Sequence, residues 1–310
     1  MHFAITHPLV RRPYHPEMVT GEGVSALAVT AEEAGFDGYG FTDHPAPTQD
    51  WLDAGGHDAL DPFVALGFVA ASTSTLRLLP NIVVLPYRNP FVVAKASATL
   101  DVLSGGRFIL AVGIGYLEAE FTALGVDHAE RAELFDEALG VLRDVWSTDG
   151  LSVDGRHFTA EGVTVEPKPT AQPHLPLWIG GNSAAARQRV ADHGDGWCPF
   201  SARRGLAKVV GTAQLDDGER LEAGIADLHR RLEDAGRDPG EVDIAFSCSA
   251  GGNPAGDDFD PDAHLEGLER LEGLGVTWVQ VGVPGDSPQH AAETMGRYGE
   301  LVISQMGTDR

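Results

Sequence analysis

The stretch that decides the fold covers residues 81–116, NIVVLPYRNPFVVAKASATLDVLSGGRFILAVGIGY. Asn81 to Leu85 is a short apolar run rich in β-branched residues, the composition of a strand. Pro86 to Pro90 carries turn chemistry. From Phe91 the apolar positions Val92, Ala96 and Leu100, with Val93 and Leu103 beside them, recur at helical spacing. Ser104-Gly105-Gly106 ends that helix, and Arg107 to Val112 is a second continuous apolar run. A strand without alternation is buried on both faces, as in a parallel sheet. The unit is therefore a βαβ crossover.

Outward from this unit, the same pattern repeats along the chain. Strands are expected at 2–5, 37–41, 76–85, 107–112, 176–179, 195–198, 242–248 and 276–283. Helical periodicity fills the gaps, with Asp61-Pro62 as N-cap and first-turn proline of one helix and Gly35 as the C-cap of another. Eight strands alternating with eight helices predict an α/β fold, a (β/α)8 TIM barrel, as a single domain over 1–310. Residues 149–176, rich in Asp-Gly turns and prolines, read as an inserted loop with short strands between the fourth and fifth barrel strands. The runner-up is an open doubly wound sheet, which the missing GxGxxG in the first turn disfavours.

The 310 residues are 43% hydrophobic, enough for a sizeable core. A net charge of -24 repels phosphate backbones and argues against nucleic-acid partners. Two cysteines, Cys198 and Cys248, form no disulfide framework and no metal-ligand spacing, so no metal site is expected. Without a signal-peptide pattern or a membrane-length apolar run, a cytoplasmic protein with no membrane partner is expected.

In a barrel, chemistry sits at the carboxyl ends of the strands. That rule collects Thr6 and His7, Asp43 and His44, Asn81 to Pro86, Gly113 to Tyr116, Gly180 to Ser183, Pro199-Phe200 and the segments around Ser247 and Gly282. Gly180-Gly181-Asn182-Ser183 is either a phosphate-binding turn at a helix N-terminus or an ordinary loop with Asn182 or Ser183 as N-cap. His44 is either a proton-handling imidazole at the mouth or a structural one. Gly113 and Gly115 are read as keeping side chains clear of a flat ring, with Tyr116 the first side chain to reach it. Glu118 and Glu120 read as solvated or capping residues. No HExxH, GxSxG or carboxylate–histidine cluster supports a hydrolase.

The run from Leu85 to Val126, Gly35-Phe36-Asp37, Asp43-His44, PLWIGGN and GDGW together resemble the bacterial luciferase-like monooxygenase family, and within it the coenzyme F420-dependent branch. The likeness runs from the first strand to about Pro199. It implies a TIM barrel with a flavin or deazaflavin at its mouth. By resemblance, His44 lies near the ring system, Asn81-Ile82 takes the place of a non-proline cis peptide under the ring, and Gly180, Gly181, Asn182 and Ser183 approach the cofactor phosphate. Thr6, Gly113 and Gly115 join the cofactor set, and His44 and Tyr116 the catalytic set. The sugar-phosphate dehydrogenase branch carries a tryptophan shortly after the His44 position and a glutamate near Tyr116, whereas here Pro-Ala-Pro-Thr and Tyr stand there. The expected function is hydride transfer between reduced coenzyme F420 and a small organic substrate. The alternatives are a two-component FMN monooxygenase fed by a separate reductase, and a non-catalytic ligand-binding barrel. A homodimer is expected from the same family.

Overall fold

The structure is a computed structural model that describes residues 1–306; the expected domain end at 310 lies outside them. In chain order the strands are β1 (His2–Thr6), β2 (Gly38–Gly40), β3 (Arg77–Leu78), β4 (Val83–Val84), β5 (Leu110–Gly113), β6 (Leu151–Asp154), β7 (Thr159–Val163), β8 (Leu177–Gly180), β9 (Gly196–Cys198), β10 (Asp243–Phe246) and β11 (Trp278–Val281). All but β6 and β7 form one sheet in the order β3-β2-β1-β11-β10-β9-β8-β5-β4, and its ladders are parallel. A parallel bridge from Leu78 to Phe108 joins β3 to the approach of β5 and closes the ring. Because β3 and β4 are two ends of one stave, the nine strands make eight staves. β6 and β7 form a separate antiparallel hairpin between β5 and β8, within the segment read as a loop with short strands.

Strand side chains alternate between two cores, as the pleat requires. Ala4, Leu79, Ile109, Ala111, Trp178, Ala245 and Trp278 fill the barrel interior, with Ile82 and Cys198 packed on top of them. Phe3, Ile5, Tyr39, Leu110, Val112 and Ile179 point outward into the layer under the helices. Both sets are apolar, which is why the runs carry no sequence alternation.

The helices start where their capping residues stand. Asp61 accepts from the N–H groups of Phe63 and Val64 at the head of Pro62–Ser72, and Asn89 accepts from Phe91 N–H ahead of Pro90–Ser104. Gly105 ends the latter at φ 74°, a left-handed conformation that suits glycine.

The largest departure from expectation is the third stave. A continuous strand over 76–85 is broken into β3 and β4, while the Asn81–Ile82 peptide between them is cis, as the family resemblance implies. Leu85–Tyr87 then forms a 3-10 turn, so strand geometry ends earlier than the apolar run. Two loops also hold unexpected helices, Gln49–Asp53 after β2 and Arg204–Val210 after β9. Both are short, five and seven residues, too few for a helical period to show in sequence.

Candidate active site

At the mouth, His44 is the hub. Its side chain is only 8% exposed, and Nδ1 lies 3.2 Å from Oε2 of Glu120, which is itself completely buried. Tyr87 donates its hydroxyl to the same oxygen at 2.9 Å, and the Ala46 N–H donates to Oε1 at 3.2 Å. Both carboxylate oxygens thus accept from the protein, and Nδ1 is the protonated nitrogen of His44. Its Nε2 makes no hydrogen bond within the chain among the described residues. Burial, reinforced by the Glu120 charge, pushes the Tyr87 phenol well above its ordinary range, so it remains a donor.

Glu120 is therefore a correction. In sequence it stands in Glu118–Ala123, a helix of ordinary polar character, and reads as solvated. Glu118 is exposed, whereas Glu120 turns inward beside the buried Phe121. The helix's six residues are too few to show a face by periodicity, so the inward turn of Glu120 leaves no mark in the sequence. Its partners Tyr87, Ala46 and His44 come from distant segments, which no local pattern signals.

Asp43 next to His44 anchors the neighbouring loop. It accepts from Arg88 Nη1 and Nη2 at 2.5 and 2.8 Å and from the Val84 N–H at 2.8 Å, tying the mouth of β2 to β4. Arg88 reaches Asp61 as well, and these carboxylates hold its guanidinium above its ordinary range.

The floor is built from Ile82 and two glycines. A Cβ at Gly113 would lie 1.8 Å from Ile82 Cδ1, and one at Gly180 would lie 2.9 Å from the same atom. Gly113 and Gly180 therefore make room for Ile82. Gly115, at φ 78°, similarly clears Val84 and Phe121. The glycines admit these neighbours from the chain itself rather than leave open space. Asn81 donates its amide to Thr6 Oγ1 at 2.9 Å, joining the ends of the first and third staves. Tyr116 is 36% exposed, its ring 6.0 Å from that of His44, and the burial of the rest of the side chain, followed by the Glu120 charge, pushes its phenol up to about 12.

The Gly180–Ser183 turn has its carbonyls tied back. Trp197 Nε1 donates to Gly181 O at 2.9 Å, and Arg187 Nη1 donates to Asn182 O at 3.0 Å. Gly181 sits at φ 117°, where a side chain would be strained. Ser183 caps the helix Ala184–His193 by accepting from Ala186 N–H. Asn182 is buried, its amide donating to Phe200 O and Ala213 O and accepting from Phe200 N–H. Of the four residues, Asn182 thus spends its side chain on the next loop. With the carbonyls of the turn engaged behind it, the helix N-terminus presents donors suited to an anion.

A parallel barrel with an imidazole–carboxylate pair and a glycine-containing turn at its carboxyl-end mouth has the layout of an α/β-barrel enzyme. The family described as luciferase-like monooxygenase matches residues 1–251, and the chain belongs to it. The match reaches past Pro199, further than the sequence blocks suggested. An F420-dependent glucose-6-phosphate dehydrogenase from Kineococcus radiotolerans is 32% identical over 285 residues, 90% of this chain and 76% of that one. A protein of the same name from Beutenbergia cavernae is 32% identical over 215 residues, 67% of this chain and 62% of the relative's length. In fold, the chain is similar to the monooxygenase RslO1 from Streptomyces bottropensis, with TM-score 0.82 at 20% identity, covering 99% of this chain and 100% of that one.

Proposed function

We propose that the protein is an oxidoreductase that exchanges a hydride between coenzyme F420 and a small organic substrate. The observation that carries this reading is the His44–Glu120 pair, which holds one imidazole nitrogen and leaves the other free at a family-type barrel mouth. The names of the two curated relatives support the deazaflavin as the cofactor. The residues suit such a group: Ile82 offers an apolar seat, and the Gly180–Ser183 turn offers donors to a phosphate.

When bound, the reduced deazaflavin supplies a hydride, so the chain itself has to manage position and protons. Glu120 fixes the ring of His44 through Nδ1–H, leaving Nε2 to exchange a proton with the substrate. Tyr116, with its phenol near 12, stays protonated at neutral pH and acts as a hydrogen-bond donor rather than a base. Asp43 and Arg88 keep the segment bearing His44 against β4.

The test is anaerobic mixing of the protein, reduced F420 and a panel of small carbonyl compounds, following the deazaflavin chromophore. Turnover without oxygen is expected, and His44→Ala should slow it by roughly 10²–10⁴-fold. A strict requirement for oxygen and reduced flavin would instead identify a two-component monooxygenase fed by a separate reductase. Failure of both, with His44→Ala unchanged, would leave a ligand-binding barrel.

A further inference from the structure

The sequence from Gly196 to Leu215 holds no aspartate or glutamate, although the whole chain carries 46 acidic residues against 22 lysines and arginines. Arg203, Arg204 and Lys208 lie in this stretch, and all three are exposed. Among the described residues their side chains make no hydrogen bond and no ion pair. Apart from Arg11 and Arg12, the other lysines and arginines there are tied to carboxylates or carbonyls. In a chain of net charge -24, three open cations on one short segment mark a local exception to the surrounding field.

The turn at Gly180–Ser183 fixes where that exception lies. The Asn182 amide donates to Phe200 O at 2.9 Å and to Ala213 O at 3.1 Å, and its carbonyl oxygen accepts from the Phe200 N–H at 3.0 Å. Both ends of the basic excursion over 200–213 are thus fastened to one side chain of the turn read above as a phosphate seat. Between those ends the helix Arg204–Val210 buries Ala207. Ala202 and Leu215 exchange backbone hydrogen bonds at 2.8 and 3.0 Å and brace its base. Arg204 and Lys208, four residues apart, share one face of the helix. Apolar and backbone contacts hold the segment, so its charges are not needed for its fold.

We propose that Arg203, Arg204 and Lys208 bind the carboxylates that follow the phosphate in coenzyme F420. The inference rests on the deazaflavin reading above and deepens it. In F420 a lactyl group and a run of γ-linked glutamates continue beyond the phosphate, whereas FMN ends there. A ligand seated by its phosphate at Gly180–Ser183 has the basic segment beside it, and guanidinium and ammonium groups suit a row of carboxylates. The overall negative charge repels such a tail, which makes a local positive rim necessary. Other arginines close by are already occupied, Arg187 by Asp227 and Arg88 by Asp43 and Asp61. Arg11 and Arg12 follow β1, three strands away round the sheet from β9.

The test is fluorescence titration with long-tailed F420, with F420 stripped of its glutamates, and with FMN. The long-tailed form should bind about tenfold tighter than the stripped form at low salt, and the gap should close towards about 0.5 M salt as exposed charges are screened. In the triple variant Arg203→Gln, Arg204→Gln, Lys208→Gln the gap should vanish, with the affinities for stripped F420 and FMN unchanged. Arg203→Lys with Arg204→Lys keeps the charge and should keep most of the gap, and Arg11→Gln with Arg12→Gln should leave it intact. If neither form of F420 binds, the deazaflavin reading and this inference fall together. Binding without a tail-dependent gap, or a gap that survives the triple variant, overturns this inference and leaves the deazaflavin reading standing. An equal loss for FMN would put the cations on the phosphate, and an equal loss from Arg11→Gln with Arg12→Gln would reduce the effect to the general field of the mouth. Either result also overturns it.

Discussion

At the residue scale, the buried His7 and the partly buried His44 have opposite meanings. His7, 2% exposed, donates Nε2–H to Met18 O at 2.8 Å and accepts the Tyr39 hydroxyl on Nδ1 at 2.6 Å. Both nitrogens are used inside the protein, so it is a structural joint between β1 and the 3-10 turn Pro16–Val19. Burial lowers its pKa from the ordinary histidine value of about 6.5 to about 4. The folded state therefore binds fewer protons than the unfolded chain between those values. Stability falls as pH drops through this window, by roughly 3 kcal/mol for this group at its lower end. Urea unfolding at pH 7 and pH 4.5 should show this fall, and His7→Gln should flatten part of it; an equal pH dependence in both proteins would contradict it. Glu120→Ala strands Tyr87, His44 and the Ala46 N–H around a void. We expect it to destabilise by about 3 kcal/mol in urea unfolding at neutral pH, whereas the exposed Glu118→Ala changes little.

The elements that set the site are the broken third stave and the glycine-lined ends of β5 and β8. Gly113→Ala drives a methyl group into Ile82 Cδ1, the movable end of a side chain, so the protein should fold with the floor displaced. Cofactor affinity is expected to drop about tenfold and to recover in the Gly113→Ala, Ile82→Ala double variant, a coupling that titration calorimetry reads directly. Equal affinities in the single variant and the parent would contradict the floor. By contrast, a Cβ at Gly40 would lie 1.7 Å from the Leu79 carbonyl, a backbone atom that cannot step aside. Much of this architecture was legible in sequence, because βαβ units announce themselves through unalternating apolar strands, Asp61 and Asn89 caps, and Gly105. What was not legible depended on contacts across the mouth. The inward turn of Glu120, the apposition of His57 and Trp51 to His44, and the burial of Asn182 all join residues far apart in sequence. The roles of Gly113 and Gly180 likewise emerge only once Ile82 is seen above them.

Across the whole molecule, the acidic surface is interrupted by an apolar face on two neighbouring helices, Pro62–Ser72 and Pro90–Ser104. Val64 and Val92 are 66% and 65% exposed there, with Phe68 beside Val64 one helical turn on. Such a face is suited to a second copy of the chain. Sedimentation equilibrium should give twice the 32.9 kDa chain mass. The pair Val64→Asp and Val92→Asp should return a monomer, and a monomeric parent would contradict the assignment. The His44–Glu120 pair is made within one chain, so its geometry does not depend on that pairing.

The claim on which the account turns is that this mouth takes a deazaflavin. Equilibrium titration of the purified protein with F420 and, separately, with FMN tests it most directly. The account predicts micromolar or tighter binding of F420, about tenfold tighter than FMN, and a loss of F420 affinity when Ser183→Ala is combined with Arg187→Ala at the anion turn. Tighter binding of FMN than of F420 would contradict it.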